Sequence, residues 1–422
     1  MTNEPPEVEQ QSAFARFWAA DAVSSLGTAV STLALQLLLI RSLHATPTDL
    51  GFVLGAQWLP YLIVGLPAGA LVDRLRRRPV LVAMDVVSAL LLGVVAVLAL
   101  RAQLTVPILA GLVFCVGVAS TFYSAAQQSY LPRIVARHYL TTANSRVEQT
   151  WASAQSFGPL LAGTLVRFVS APWAVLVDAA SYLVSAATLA GIRTPEPPPA
   201  PVSERHLGRE LAEGARWVYH HPVLTRYALS LHLSFLVNSI IATVLVFYAT
   251  VDLGLDAFTV GLVLAAAGLS GIVGAGLAPR LAERFGLGRV CVASRWIDPV
   301  AYGAIALCAL GAPPVPTLLV AQLLAGFSLG LYGPLHMTYR NVVTPDRLRA
   351  RMNATIRAVN WGSIAFSAPL GGWLAVRFGT PAAICVGAVG ALAAAAVLTF
   401  SPYRHAVLPD DAHPPVDAEP QA

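Results

Sequence analysis

The sequence predicts an all-α membrane protein: twelve transmembrane helices arranged as two pseudo-symmetric six-helix bundles. Three observations predict it, namely composition, twelve apolar stretches of bilayer length, and an internal repeat. Of 422 residues, 56% are hydrophobic and only 12% charged, with a mean hydropathy of +0.66. Soluble chains run to about 45–50% apolar and about 25% charged. A chain so poor in charge cannot clothe a soluble enzyme or a nucleic-acid-binding domain. Its net charge of +5 comes entirely from arginine, with no lysine, which reads as the mark of a GC-rich bacterial genome rather than a nucleic-acid partner. Cys115, Cys291, Cys308 and Cys385 fall inside apolar stretches at unrelated spacings, so they read as small hydrophobes and not as a disulfide framework or metal site.

A bilayer core about 30 Å thick needs about 20 helical residues, and lipid offers no partners to an open strand edge. Stretches of that length lie at 17–40, 50–72, 79–100, 106–126, 147–166 and 172–192. After a polar segment come 227–251, 257–279, 290–310, 315–338, 353–376 and 380–400. Residues 1–15 are acidic and polar, and the first apolar stretch is too long for a signal-peptide core, so no cleaved signal is expected. Arginine crowds the loops after spans 2, 4, 8 and 10, the central segment and the tails. The opposite side holds Arg41, Arg101, Arg167 and Arg377. The positive-inside rule then places both termini and the central segment in the cytoplasm of a cell whose inner membrane holds the chain.

The domain organisation follows. A cytoplasmic tail (1–16) precedes the first bundle (17–192). A linker (193–226) opens with the proline-rich Pro195–Pro201, extended by its composition. Behind it, Leu207, Leu211 and Val218 recur at helical spacing between Arg205, Arg209 and Arg216, the pattern of an amphipathic helix on the anionic inner leaflet; a plain hinge between the bundles is the simpler alternative. The second bundle (227–401) is followed by a Pro- and Asp-rich tail (402–422), expected to be disordered.

The halves repeat each other at an offset of about 210. Asp73-Arg74-Leu75 aligns with Glu283-Arg284-Phe285, Asn144 with Asn353, and Gly158-Pro159-Leu160 with Ala368-Pro369-Leu370. Arg167-Phe168 aligns with Arg377-Phe378, and Pro172 with Pro381. Parallel repeats of this kind predict a substrate site between two bundles that rock about it.

The loop after span 2 reads Gly69-Ala70-Leu71-Val72-Asp73-Arg74-Leu75-Arg76-Arg77-Arg78, and span 5 carries Gly158-Pro159-Leu160-Leu161-Ala162-Gly163. With these motifs the chain resembles the major facilitator superfamily over its whole length. The first is similar to the superfamily's signature loop, departing from it in Arg76 where glycine is usual. The second is similar to the Gly-Pro motif of its drug–proton antiporters. Ser24-Ser25-Leu26-Gly27, Gln127-Gln128-Ser129-Tyr130-Leu131-Pro132 and Val177-Asp178-Ala179-Ala180-Ser181-Tyr182-Leu183 resemble its macrolide-efflux and siderophore-export branch. The resemblance implies outer, supporting positions for spans 3, 6, 9 and 12.

An ionisable residue inside a span costs roughly 2.5–3.5 kcal/mol on insertion scales, so each needs a reason. Asp85, Asp178, Arg295 and Asp298 fall on the supporting spans and are expected to pair structurally. Asp21, Glu148 and Arg357 fall on spans expected to line or gate the cavity. Asp21, Ser25, Thr28 and Thr32 form one helical stripe, which faces either a water-filled cavity or hydrogen-bonding neighbours. A partly desolvated acid there is a candidate proton carrier, so Asp21 and then Glu148 are the proton-coupling candidates. Arg357, nearly equivalent to Glu148 in the repeat, either pairs with it statically or gates. Asp73 is expected to act as a cytoplasmic latch, supported by Gly69, Arg74, Arg77 and Arg78, although arginines there also serve simply to orient the helix. Gly158, Pro159 and Gly163 are expected to form a gating kink. Gln57, Ser124, Gln127, Trp151, His232, Asn238 and Trp361 complete the candidate cavity, each having packing or interfacial anchoring as the blander role; Trp58, Ser120, Ser239 and Thr243 accompany them.

No nucleotide-binding loop, hydrolytic constellation or metal spacing is visible, so a non-enzymatic chain without cofactor or metal is expected. The function expected is a secondary transporter, a monomer in the bilayer, that expels an amphiphilic small molecule (drug, antibiotic or siderophore-like) against proton entry. The alternatives are an uncoupled facilitator or importer, or a non-transporting receptor or scaffold on the same fold.

Overall fold

A computed structural model describes residues 7–193 and 207–406, and every regular element among them is helical. The first half comprises α1 (Glu7–Ser42), α2 (Pro47–Ile63), α3 (Gly65–Asp73), α4 (Arg77–Leu100), α5 (Val106–Ile134), α6 (Leu140–Val169) and α7 (Ala171–Ala190). A linker helix α8 (Leu207–His220) leads to the second half. There follow α9 (Leu224–Phe247), α10 (Ala257–Phe285), α11 (Leu287–Arg295), α12 (Ile297–Leu307), α13 (Pro314–Val342), α14 (Asp346–Phe378) and α15 (Thr380–Thr399).

These helices make twelve passes, ten plain and two broken. The second pass is α2 plus α3, bent by 57° next to Pro67. The ninth is α11 plus α12, interrupted at Trp296, where Pro299 supplies no N–H to the preceding turn. By length and apolarity, nine helices among the described residues qualify as membrane spans, or ten with the bent pair. α6 and α14, of 30 and 33 residues, are long enough but fall outside that set. They are the repeat-related fifth and eleventh passes, and helices that line water rather than lipid can be this polar.

An even number of passes puts both chain ends and the linker on one face, called here the terminal face; the other is the far face. At the far face the repeat shows in the caps. Thr46 and Asp49 form a reciprocal capping box that starts α2. At α10 the roles are exchanged: the Asp256 carboxylate accepts from the Thr259 N–H at 3.0 Å, which holds that carboxyl below its usual range.

Two expected boundaries move. α1 is already helical from Glu7, inside the segment read as a tail. At the other end, Pro402–His405 forms one helical turn and Tyr403 is fully buried, stacked on Tyr227 and edge-on to Tyr339. The tail therefore begins as a plug under the second bundle, and residues 407–422 lie outside the described residues. α8 packs on the terminal end of α14: Val218 is fully buried, Arg351 pairs with Glu213, and Trp217 donates to Thr344 at 3.1 Å. The side chains of Arg205, Leu207, Arg209 and Leu211, on which the membrane-surface reading rested, lie outside the described residues.

Candidate functional site: a cleft between the bundles

Lipid is as apolar as leucine, so helices in a membrane associate through close packing of small residues. The two halves meet along two seams, α2 against α14 and α6 against α10. A Cβ on Gly51 would lie 2.4 Å from the Ala368 carbonyl oxygen, and one on Gly261 would lie 2.4 Å from that of Pro159. Likewise a Cβ on Gly372 would lie 2.1 Å from the Pro47 carbonyl oxygen, and one on Gly163 would lie 2.4 Å from that of Ala257. Each pair of contacts is the same contact twice, related by the offset that relates the halves. All four glycines sit in the far-face part of their helices.

Toward the terminal face the seams slacken. Gly65, Gly69 and Gly276 have nothing within 4 Å of a would-be Cβ, and α3 packs on α5 and α4 of its own bundle. The buried core shows the same asymmetry. One apolar cluster, from Val30 and Leu50 to Val244 and Ile384, joins both halves. On the terminal side it gives way to two separate clusters, around Phe17, Leu81 and Tyr130 in the first half and around Tyr227, Met352 and Tyr403 in the second. The molecule is sealed at the far face and cleft at the terminal face.

Near the foot of the seal lie three aromatic rings, Trp58 and Tyr61 from α2 and Trp361 from α14. Their centroids are 4.8–5.5 Å apart, and Ser124 stands beside the Tyr61 hydroxyl. One turn further toward the terminal face, exposed Arg357 lies 5.7 Å from the Trp361 ring. Glu148 and Trp151 on α6 are exposed, as is Asn238 on α9. Glu148 and Arg357 are within electrostatic reach of each other, yet neither has an ion-pair partner within 4 Å among the described residues.

The first bundle is acidic inside. Asp21 is 5% exposed and accepts from the Gln127 amide at 2.5 Å, bringing together two candidates 106 residues apart. Asp178 accepts from Ser31 and from Ser181, the latter at 3.1 Å. Asp85 is buried with neither carboxylate oxygen hydrogen-bonded among the described residues. Charge pairing was expected for Asp85 and Asp178; no cation lies within ion-pair distance of either among the described residues. Arg295 and Asp298 do pair as their spacing predicted, at 3.1 Å, with the guanidinium 3.7 Å from the centre of the Tyr332 ring. Behind α1, Gln57 and Ser120 line a cavity of about 30 Å³ with Thr28, Ser31, Asp178 and Tyr182, room for a water molecule.

The span-1 stripe divides between its two readings. Thr28 bonds Tyr182 across the bundle at 2.9 Å and Thr32, exposed, donates back to the Thr28 carbonyl; Ser25 is half-buried. Interhelical bonding accounts for Thr28, and Asp21 alone of the stripe holds a buried acid. His232 is hydrogen-bonded on both sides of its ring: the nitrogens meet Asn360 at 2.6 Å and Tyr219 at 3.0 Å, tying α8 and α14 to α9. Ser239 and Thr243 are buried. Gly158 faces Ala29, whose Cβ would be 2.4 Å away from an added one, so the Gly-Pro step is a close approach of α6 to α1. Asp73 is half-exposed and pairs with Arg77 at 3.7 Å; Arg74 is exposed, and Arg78 bonds the Leu189 and Ala190 carbonyls that end α7.

Tyr61, Asn360 and three of the four seam glycines, Gly51, Gly261 and Gly372, escaped the sequence reading; Gly163 was read there as part of the kink and proves to pack against Ala257. The glycines carried a signal: Gly51 and Gly55 are four apart, the small-residue spacing of close helix pairs.

The sequence profile of the Major Facilitator Superfamily matches residues 17–297 and 295–420. The chain is similar to the multidrug efflux pump Tap of Mycolicibacterium fortuitum, 28% identical over 369 residues, covering 82% of this chain and 84% of that protein. It is also similar to macrolide efflux protein A of Streptococcus pyogenes, 23% identical over 184 residues, covering 43% of this chain and 45% of that protein. In fold it is similar to a bacterial homologue of the iron transporter ferroportin solved in an inward-facing state. The TM-score is 0.74 at 17% identity, with 93% of this chain and 99% of that chain covered.

Proposed function

The chain belongs to the Major Facilitator Superfamily of secondary transporters, and from that membership we propose that it expels an amphiphilic small molecule in exchange for entering protons. Asp21 carries the reading. It is a buried carboxylate on α1 that is held by an amide and has no cation within ion-pair distance among the described residues. It lies within electrostatic reach of exposed Glu148. A carboxylate so placed can take a proton from one side and lose it to the other as the cleft changes face. The names of two similar proteins, both efflux proteins, support the outward direction. Arginine density supports a cytoplasmic terminal face in the cell inner membrane, which makes the cleft inward-facing.

Everted membrane vesicles test the direction. With a pH gradient imposed, the vesicles should accumulate at least one dye from a panel of cationic, zwitterionic and anionic fluorophores, and nigericin should release it. Accumulation that nigericin leaves unchanged overturns proton exchange, and accumulation of none overturns export of amphiphiles.

In the same reading Asp73 is a latch. It binds across the terminal face when the cleft closes and, with the cleft open, rests half-exposed beside Arg77. Losing one charged hydrogen bond of about 1.5–3 kcal/mol corresponds to roughly ten- to hundredfold in an equilibrium. Asp73→Asn is therefore expected to reach the membrane normally and transport at least about tenfold more slowly. Full transport by the inserted variant counts against the latch.

A further inference from the structure

The charges around the cleft are sorted by half. The first bundle contributes Asp21 and Glu148, with Asp85 and Asp178 behind them. The second bundle contributes Arg357, which feels both Glu148 across the cleft and Arg340 on its own side; Arg340 has a buried Nε without a hydrogen-bond partner among the described residues. Acid and guanidinium face each other at a distance that acts electrically but exceeds ion-pair contact. Above them the Trp58, Tyr61 and Trp361 rings, drawn from both halves, close the roof. Arg357 already lies against the outermost of these rings.

We propose that this roof and the two charged walls form the substrate site, and that it selects dipolar aromatic amphiphiles with an anionic group for Arg357 and a cationic group for Glu148. This rests on the reading of the chain as an exporter of amphiphiles and names the chemistry of its cargo. When the cleft closes, water leaves the site. A purely cationic ligand would strand Arg357 without a counter-charge, and a purely anionic one would strand Glu148. A buried charge without its partner weakens binding strongly. A ligand carrying both charges satisfies both walls and adds no net charge to the closed site. The aromatic roof favours a flat ring system between the charged ends, because ring faces pack well against such a surface and attract cationic character.

The test uses three dyes of similar three-ring core: tetramethylrhodamine (zwitterion), its methyl ester (cation) and fluorescein (anion). Binding to the full-length protein in detergent is followed by fluorescence anisotropy. Tetramethylrhodamine should bind at least about tenfold more tightly than the ester, the scale of one desolvated charge pair. Arg357→Gln should erase that preference by weakening the acid alone, and Arg357→Lys should restore much of it. Glu148→Gln should weaken both cation-bearing dyes and spare fluorescein. The proposal is overturned if the ester binds as tightly as the acid, if the preference survives Arg357→Gln, or if none of the dyes binds saturably. The wild-type ratio and Arg357→Lys decide the matter even if Arg357→Gln misfolds. Equilibrium binding is independent of coupling, so pH-driven export with no dipolar preference overturns this proposal alone. A dipolar preference without pH-driven export overturns the export reading alone.

Discussion

Asp21→Asn is expected to bind and exchange substrate like the parent protein and to lose its acceleration by a pH gradient. A proton crossing a 100 mV potential releases about 2.3 kcal/mol, enough for roughly a fiftyfold gradient of a neutral substrate. To use that energy one acid must change protonation during the cycle. Asp21 is buried, and Gln127 is placed to hold either form, since an amide can donate to a carboxylate and accept from a carboxylic acid. Asparagine keeps the shape and removes the proton. The expected loss is the whole roughly fiftyfold driven component, read as export from proteoliposomes with and without a gradient. Equal gradient-driven export by variant and parent would move the coupling role to Glu148, which is exposed on the facing helix α6.

The second large effect is expected at the far-face seal. Leucine at Gly51 or Gly372 would place a side chain where a carbonyl oxygen already stands, 2.4 Å and 2.1 Å from the Cβ position. Overpacking costs about 1–3 kcal/mol per site, and a shift of about 5.5 kcal/mol carries a two-state equilibrium from 1:99 to 99:1. The two sites together supply about 2–6 kcal/mol, so Gly51→Leu with Gly372→Leu should shift the equilibrium toward an open far face and cut net transport at least about tenfold. A cysteine introduced at Trp58 in a background without the four native cysteines should then react with a membrane-impermeant maleimide from outside the cell. In the parent seal it should react slowly. Normal transport, or no gain in outside reactivity, would show that the seam is not the gate.

Much of the architecture was legible because lipid leaves few choices. Spans had to be helical, and the repeat that aligned Gly158-Pro159 with Ala368-Pro369 marked helices α6 and α14, which both lie in the seams. Breaks were harder to see. The bend after Ile63 falls between Pro60 and Pro67, and the interruption at Trp296 falls between Arg295 and Asp298 just before Pro299; averaged over a span's length, both stretches still read as continuous. The site was partly legible. Asp21, from the span-1 stripe, and Gln127, a separate cavity candidate, come together as a pair, whereas His232 and Thr28 looked similar in sequence and proved to be bonded within the protein. Polarity on a stripe marks what cannot face lipid; whether it faces water or another helix depends on tertiary packing. Tyr61 was missed because one tyrosine in an apolar helix carries no periodic signal until Trp361 of the other half is brought beside it.

Proton exchange itself is best measured on the purified protein in liposomes loaded with the pH dye pyranine, the membrane potential clamped with valinomycin and potassium. Adding a dye that the protein carries to one side should shift the internal pH, with protons moving opposite to the dye. The shift should reverse when the dye gradient is reversed and vanish in Asp21→Asn. Dye movement with an unchanged internal pH would contradict proton exchange and leave a facilitator.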